Sequence, residues 1–320
     1  MSKIFISTYP FCRIDATPAK LLQGAGHEVV QNPYSRKLTP AEVVELALDC
    51  DGIVAGTEEL LPLVQESRKL KIIARVGVGL DSVPLDLCKS KGIKVSYTPD
   101  AVTPAVAELT IGLMLDIFRK ITKADKELRQ KGWSRPYGRR IGTSVIGIIG
   151  FGRIGFAVAK ILSSFRPTMI LVHDLIDISD KISLIRNQEI SILQVSKQDL
   201  LKQADVITLH VPKNSSSIGL ISQFELSLMK ESAYLINTSR GGIVDEVALF
   251  NALREKRISG AAIDVFEEEP YTGPLLDIEN TVLTQHMGSC SDDCRADMER
   301  EACEDIVRFF ARESLRSEVI

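Results

Sequence analysis

The sequence predicts an α/β protein built from two doubly wound parallel sheets. Three observations carry that expectation. Short apolar runs alternate with helical patterns through residues 1–100, as strands joined by crossover helices do. A second alternation of the same kind starts at Val145. Its first strand runs directly into a glycine-rich turn, Gly150-Phe151-Gly152-Arg153-Ile154-Gly155, far enough along the 320-residue chain for another domain to come first.

In the first half, Lys3–Ser7, Glu28–Val30, Gly52–Ala55, Lys71–Val76 and Lys94–Tyr97 read as strands. Ala41–Leu48 shows helical spacing, with Thr39-Pro40 supplying an N-cap and a first-turn proline. One long amphipathic helix is expected from about Thr103 to Leu128, started by Thr103-Pro104 and apolar at Ala107, Ile111, Met114, Leu115 and Phe118. The stretch from Gly132 to Gly142, rich in Gly, Arg and Pro, reads as a loop. Strands are then expected at Val145–Ile149, Met169–Val172, Val206–Leu209, Tyr234–Ile236, Gly260–Asp264 and Thr281–Thr284, a complete dinucleotide-binding sheet. The tail from Ser291 reads as one helix capped by Ser291-Asp292-Asp293. The expected division is a discontinuous substrate domain, 1–100 plus 290–320, and a dinucleotide-binding domain, 101–289.

Composition narrows the function. Lys and Arg number 39 against 42 Asp and Glu, for a net charge of −3, and no basic stripe appears, so nucleic acid is not an expected partner. The start of the chain lacks the pattern of a secretory leader. The apolar stretch around Leu109 to Phe118 is cut by Asp116 and reads as too short to span a bilayer. A cytoplasmic location without a membrane partner is expected. The six cysteines are scattered and read as free thiols, and the triplets at Asn214 and Asn237 as chance matches to the glycosylation signal. His286, Cys290 and Cys294 recur at four-residue intervals, but Gly288-Ser289 breaks the helix they would need and a fourth ligand is missing, so no metal is expected.

The glycine-rich turn has a physical logic. Gly150 permits the tight turn, Gly152 lets a pyrophosphate approach the backbone, and Gly155 lets the following helix pack closely on the sheet. That helix presents free N–H groups and a positive dipole end to phosphates. Asp174 ends the next strand, at the expected distance of about 20 residues, where a carboxylate accepts bonds from the adenosine ribose and repels a 2′-phosphate. NAD is therefore the expected cofactor.

Hydride transfer to a keto acid requires that a carboxylate be held, a carbonyl polarised and a proton supplied. An arginine fork meets the first two needs and a histidine the third. Asn237-Thr238-Ser239-Arg240-Gly241-Gly242, Asp264-Val265-Phe266-Glu267-Glu268-Glu269-Pro270 and Thr284-Gln285-His286-Met287-Gly288-Ser289 each follow an expected strand. Ligands of open α/β sheets gather at such carboxyl ends, so the three segments can converge.

With Arg75-Val76-Gly77-Val78-Gly79-Leu80-Asp81, Val106-Ala107-Glu108 and His210-Val211-Pro212, these motifs stand in fixed order along essentially the whole chain. In that order the sequence resembles the D-isomer-specific 2-hydroxyacid dehydrogenase family, and within it the 3-phosphoglycerate dehydrogenase branch. The resemblance implies two Rossmann-like or flavodoxin-like domains with a cleft between them that closes around NAD and a small 2-hydroxy/2-keto acid. It assigns Arg240 to the substrate carboxylate and carbonyl oxygen, His286 to acid and base work, and Glu269, rather than Glu267 or Glu268, to pairing with His286 and favouring its protonated form. Coenzyme contacts fall on Gly150, Gly152, Arg153, Ile154, Gly155, Asp174, Val211, Pro212, Thr238, Ser239, Asp264 and Gly288. The backbone of Val76, Gly77 and Val78 would offer N–H groups to the substrate carboxylate. A homodimer built around the long helix is implied as well.

The chain departs from the family pattern in two places. Gln285 stands where a proline usually precedes the histidine. Gly56-Thr57-Glu58-Glu59 occupies a loop where phosphoglycerate enzymes carry arginine, and two acids are poor partners for a phosphate. The chain ends at residue 320, so an appended serine-responsive domain is not expected. The relatives of formate dehydrogenase type carry glutamine in place of Glu269, which disfavours formate. Three readings follow: a D-2-hydroxyacid dehydrogenase of phosphoglycerate type, a glyoxylate or hydroxypyruvate reductase, or an NAD-sensing, corepressor-like binding protein without significant turnover. Intact Arg240, Glu269 and His286 favour turnover.

Overall fold

The computed structural model describes residues 1–185 and 190–320. They form two compact units, Met1–Val102 with Ser289–Ile320, and Thr103–Gly288.

In the first unit, β1 (Lys3–Ile6), β2 (Glu28–Gln31), β3 (Gly52–Ala55), β4 (Ile72–Arg75) and β5 (Lys94–Tyr97) make a parallel sheet ordered β2-β1-β3-β4-β5. This is the flavodoxin-like order. Every residue of β3 and β4 is buried, Arg75 at the end of β4 included, which explains the apolar runs Gly52–Ala55 and Ile72–Ala74: a parallel sheet has both faces covered. The Asp292–Phe310 helix packs against the Thr17–Gly24 helix and on β4. The last residues continue beyond that helix. Val319 N–H donates to Val95 O and Tyr97 N–H to Ser317 O, so the tail runs along the open edge of β5 and covers its unpaired backbone groups.

The second unit carries β6 (Val145–Ile149), β7 (Met169–His173), β8 (Ile192–Gln194), β9 (Val206–Leu209), β10 (Tyr234–Asn237), β11 (Gly260–Ile263) and β12 (Thr281–Leu283). All are parallel, in the order β12-β11-β10-β9-β6-β7-β8. The sheet thus has seven strands rather than the six expected. The addition is β8, three residues long with two of them exposed, too short and too polar to show a period in sequence. Counted with β8, β6 to β11 follow the order of a dinucleotide-binding sheet, and β12 extends its edge. The chain order reverses between β6 and β9, which makes their carboxyl ends the two sides of a crevice.

The long helix also needs correction. It runs Pro99–Arg119, and a second helix, Ile121–Arg129, follows a break at Lys120, whose φ is +56°. Pro104 does not start the first helix but lies inside it, near its beginning, where its missing N–H forfeits a single backbone bond. Asp116 stabilises the break: Oδ1 accepts from the Thr122 N–H at 2.8 Å. At 21 residues the first helix is long and apolar enough, by length and composition, to cross a membrane, against the expectation that the stretch was too short. Here Ala107, Met114 and Phe118 are buried in the core of the second unit.

The glycine turn separates two kinds of constraint. A Cβ on Gly155 would fall 2.1 Å from Gly150 O, whereas one on Gly152 would meet nothing within 4 Å. Gly155→Ala should therefore lower unfolding free energy by about 1–3 kcal/mol, and Gly152→Ala should change it by less than about 0.5 kcal/mol. Denaturant midpoints check this, and equal losses in both variants would show that close packing does not distinguish the two glycines.

Candidate active site

The coenzyme-facing part is set by β6, β7 and β9. Gly150 turns the chain at φ +90°, and a side chain there would fall 2.4 Å from His210 O and 2.7 Å from Val211 Cγ1. The turn is thus wedged directly against the residues that follow β9. Arg153, Ile154 and Gly155 then open the Arg153–Ser163 helix, whose first turn faces out of the strand end. Open space over Gly152 beside this helix start fits the approach of a dinucleotide pyrophosphate. Asp174 lies next to the turn: Oδ2 accepts from Phe151 N–H at 2.7 Å and Oδ1 from Ile176 N–H at 3.3 Å. Lys181 donates to Phe151 O at 3.0 Å, so the main chain of Phe151 is held at both its N–H and its carbonyl. Pro212 O accepts from Ser217 Oγ at 2.6 Å, fixing the segment after β9.

The residues expected to react stand on the loops after β10, β11 and β12. Asn237 shapes the first: its Oδ1 accepts from Ser239 N–H and Oγ, and its Nδ2 donates to Arg240 O. Arg240 sits on this turn, with Nη1 donating to Ser239 O at 2.6 Å. Thr238 Oγ1 lies 2.9 Å from Thr110 Oγ1 of the long helix, and Thr110 is fully buried. The next residue, Gly241, has no room for a side chain, because a Cβ would fall 1.8 Å from Phe266 O. Backbone contact at this point joins the Arg240 turn to the loop that carries Glu269.

Glu269 accepts the Phe266 N–H on Oε1 at 3.1 Å and meets His286 Nδ1 with Oε2 at 2.8 Å. A carboxylate oxygen accepts, so Nδ1 carries the hydrogen of that bond. His286 has φ +53°, a left-handed conformation that costs a non-glycine residue roughly 1–2 kcal/mol. Asp264 holds it there. Its main-chain O accepts from His286 N–H at 2.8 Å. Its Oδ1 accepts from Met287 N–H and Thr284 Oγ1, and its Oδ2 from Gly288 N–H. Asp264 is completely buried, so its carboxylate serves the loop that carries His286.

The structure thus brings Glu269 and His286 into direct contact and sets Arg240 on an adjoining turn. Of the expected coenzyme residues, Gly150, Gly152, Arg153, Ile154, Gly155, Asp174, Val211 and Pro212 lie at the ends of β6, β7 and β9. Thr238, Ser239, Asp264 and Gly288 lie on the loops after β10, β11 and β12. In the first unit, Val76, Gly77 and Val78 follow β4, but two of their three N–H groups are committed. Val76 N–H donates to Ala55 O, continuing the sheet ladder, and Gly77 N–H donates to Thr98 Oγ1. Among the described residues only the Val78 N–H of the three lacks a partner, which corrects the expectation that all three are offered. Glu58 in the same unit is buried, taking a bond from Ser7 Oγ at 3.2 Å. Thr110, Asn237, Thr284 and Lys181 act through backbone or hydroxyl contacts that only the fold creates, so their sequence carries no signal of these roles. Among the described residues no group of three or more His, Cys, Asp or Glu could hold a metal ion, and the last helix starts at Asp292, beyond His286 and Cys290.

Comparison with known proteins adds to this geometry. Residues 111–288 match the family model described as D-isomer specific 2-hydroxyacid dehydrogenase, NAD binding domain. Glyoxylate reductase of Thermofilum pendens is 39% identical over 291 residues, spanning 88% of this chain and 83% of its own. D-3-phosphoglycerate dehydrogenase of Methanocaldococcus jannaschii is 36% identical over 275 residues, 84% of this chain but 51% of its own, so the chain spans about half the length of that relative. Among solved structures, D-lactate dehydrogenase of Aquifex aeolicus, complexed with NAD and lactic acid, superposes with a TM-score of 0.83 at 26% identity, covering 97% of this chain and 96% of that one. The NADPH-dependent glyoxylate/hydroxypyruvate reductase of Sinorhizobium meliloti gives 0.85 at 28% identity, with 99% and 96% covered.

Both carboxylate oxygens of Asp264 face backbone donors, so Asp264→Asn sets an amide N–H against either Met287 or Gly288 whichever way it turns. A buried mismatch of this kind costs about 1–3 kcal/mol. Amide exchange at Met287 and Gly288 should accelerate by about 5- to 100-fold. Unchanged protection at both amides would show that Asp264 does not hold the loop.

Proposed function

We propose that this chain, which belongs to the D-isomer specific 2-hydroxyacid dehydrogenase family, works as an NAD-dependent dehydrogenase on a small 2-hydroxy/2-keto acid. The observation that carries this reading is the 2.8 Å Glu269–His286 pair, held on a loop clamped by Asp264 and adjoining the turn of Arg240. When bound, NAD supplies the acceptor or donor of hydride. The protein does the rest. Arg240 holds the substrate carboxylate and polarises the carbonyl with a permanently charged fork. His286 gives or takes the proton at Nε2, while Nδ1 stays on Glu269 in both protonation states and keeps the ring oriented. Asp174 takes the adenosine ribose, which favours NAD over a coenzyme with a 2′-phosphate.

For the substrate we favour an unphosphorylated acid of the glyoxylate or hydroxypyruvate kind over 3-phosphoglycerate. Glu58 and Glu59 present no cation to a phosphate, and Glu58 is buried with its carboxylate on Ser7. All six cysteines are free, which suits a cytoplasmic enzyme.

We also propose a homodimer, but not one built on the long helix as such. The Ile121–Arg129 helix is amphipathic, yet among the described residues it has none buried, and Ile121 and Leu128 are more than half exposed. Trp133 and Tyr137 follow it at 79% and 95% exposure. A second copy covering this face would remove all four from water.

NADH oxidation against a panel of glyoxylate, hydroxypyruvate, pyruvate and 3-phosphohydroxypyruvate should show turnover, strongest with the unphosphorylated acids. NADH binding with no turnover on any of them would favour a sensor. His286→Ala should lower turnover by about 10²- to 10⁴-fold with NADH binding retained, and near-normal turnover would remove the acid/base assignment. Light scattering should give twice the chain mass, with Trp133→Ser and Tyr137→Ser together shifting it towards the monomer. A monomeric wild type would end the dimer proposal.

A further inference from the structure

His210 stands at the carboxyl end of β9, on one side of the crevice where the strand order reverses. Its main chain is built into the glycine turn: the N–H donates to Ile149 O at 2.8 Å, and its carbonyl fills the space where Gly150 would carry a side chain. The imidazole is held by one edge, with Nε2 3.0 Å from Thr208 Oγ1, itself fully buried. The other nitrogen, Nδ1, is shielded from water and, among the described residues, has no hydrogen-bond partner. Burial drives the pKa of this ring down to about 3, so the imidazole is neutral at any working pH. A buried polar nitrogen without a partner is uncommon in a folded protein and calls for an explanation.

Resting on the coenzyme reading above, we propose that His210 is a coenzyme-binding residue whose Nδ1 bonds a hydroxyl of the ribose on the nicotinamide side. The order of the strand ends selects that half. Asp174, assigned to the adenosine ribose, ends β7 on one side of β6, whereas β9 lies on the other side, towards Arg240, Glu269 and His286. The chemistry selects the hydroxyl. A neutral ring gives a phosphate no charge to pair with, while a ribose hydroxyl both donates and accepts and so satisfies Nδ1 in either tautomer. The residue as a whole is half-buried.

The two side-chain amides distinguish this from a purely structural role. Asn places its amide near the position of Nδ1, and Gln near that of Nε2. Dissociation constants would be measured by NADH fluorescence and by competition with ADP-ribose, which keeps the second ribose, and with ADP, which lacks it. His210→Ala should weaken NADH and ADP-ribose by about tenfold or more and leave ADP within about twofold. His210→Asn should hold ADP-ribose within about threefold of wild type, and His210→Gln should not, although it keeps the bond to Thr208. Rescue by Gln and not by Asn, or an equal loss for ADP, would assign His210 to the scaffold and overturn the proposal. Unchanged ADP-ribose affinity in all three variants would do the same. A wild type that binds neither NADH nor ADP-ribose is a separate result, because it removes the coenzyme reading itself.

Discussion

The chemistry of this protein depends on how three strand-end loops are locked together through backbone. Gly241 lies so close to the Phe266 carbonyl that no side chain fits between them, and Asp264 collects the N–H groups of Met287 and Gly288 on its carboxylate. The first contact fixes the turn of Arg240 against the loop of Glu269, and the second fixes the loop of His286 against the end of β11. Long side chains such as arginine lose up to about 2 kcal/mol of rotamer freedom when ordered. Backbone contacts place the roots of these side chains without drawing on that freedom, so the precision of the site comes from the sheet. The left-handed φ of His286 shows what the clamp sustains, since a residue in that conformation persists only where its surroundings over-determine it.

A burial cost accompanies this arrangement. Asp264 is removed from water entirely, and a carboxylate so placed is tolerated only when its lone pairs are used. Met287, Gly288 and Thr284 supply three donors, and the Asp264 main chain binds His286 as well. Loop and carboxylate are therefore mutually dependent, since each would be unsatisfied alone. This differs from the Glu269–His286 pair, which is partly open to solvent. The closed cluster holds geometry, and the open pair is the one to which the proposed proton transfer is assigned.

The sequence was most legible where a residue acts through its own chemistry or through the period of a buried strand. The parallel sheets and the glycine turn belong to that class, whereas the pairing of Glu269 with His286 came from the family resemblance. It was least legible where the fold itself creates the role. The strand β8 is too short to show a period, and the break at Lys120 is set by a carboxylate, Asp116, that in sequence merely interrupts an apolar run. The substrate loop shows the same limit. Val76 and Gly77 read as open donors until β3 and Thr98 are brought beside them. Asp264 read as a coenzyme contact, and nothing local to its sequence shows that both its oxygens are taken by residues some twenty positions later.

A parallel sheet delivers all its carboxyl ends to one edge, and in the second unit that edge can be followed as a line of chemically distinct groups. From β7 to β12 it presents Asp174, the Gly150 turn, His210, Arg240, Glu269 and His286, which is spatial order and not chain order. A dinucleotide has the same linear logic: a ribose, a pyrophosphate, a second ribose, then the reacting ring. A carboxylate suits the first, a turn free of side chains the second, a neutral imidazole the third, and a cation with a proton carrier what lies beyond. The reversal of strand order between β6 and β9 puts the crevice where the side-chain-free segment of that line stands. Topology and the proposed side-chain roles thus agree on one ligand orientation, and Arg240, Glu269 and His286 belong to one unit, their loops held by the sheet and by the contacts between them.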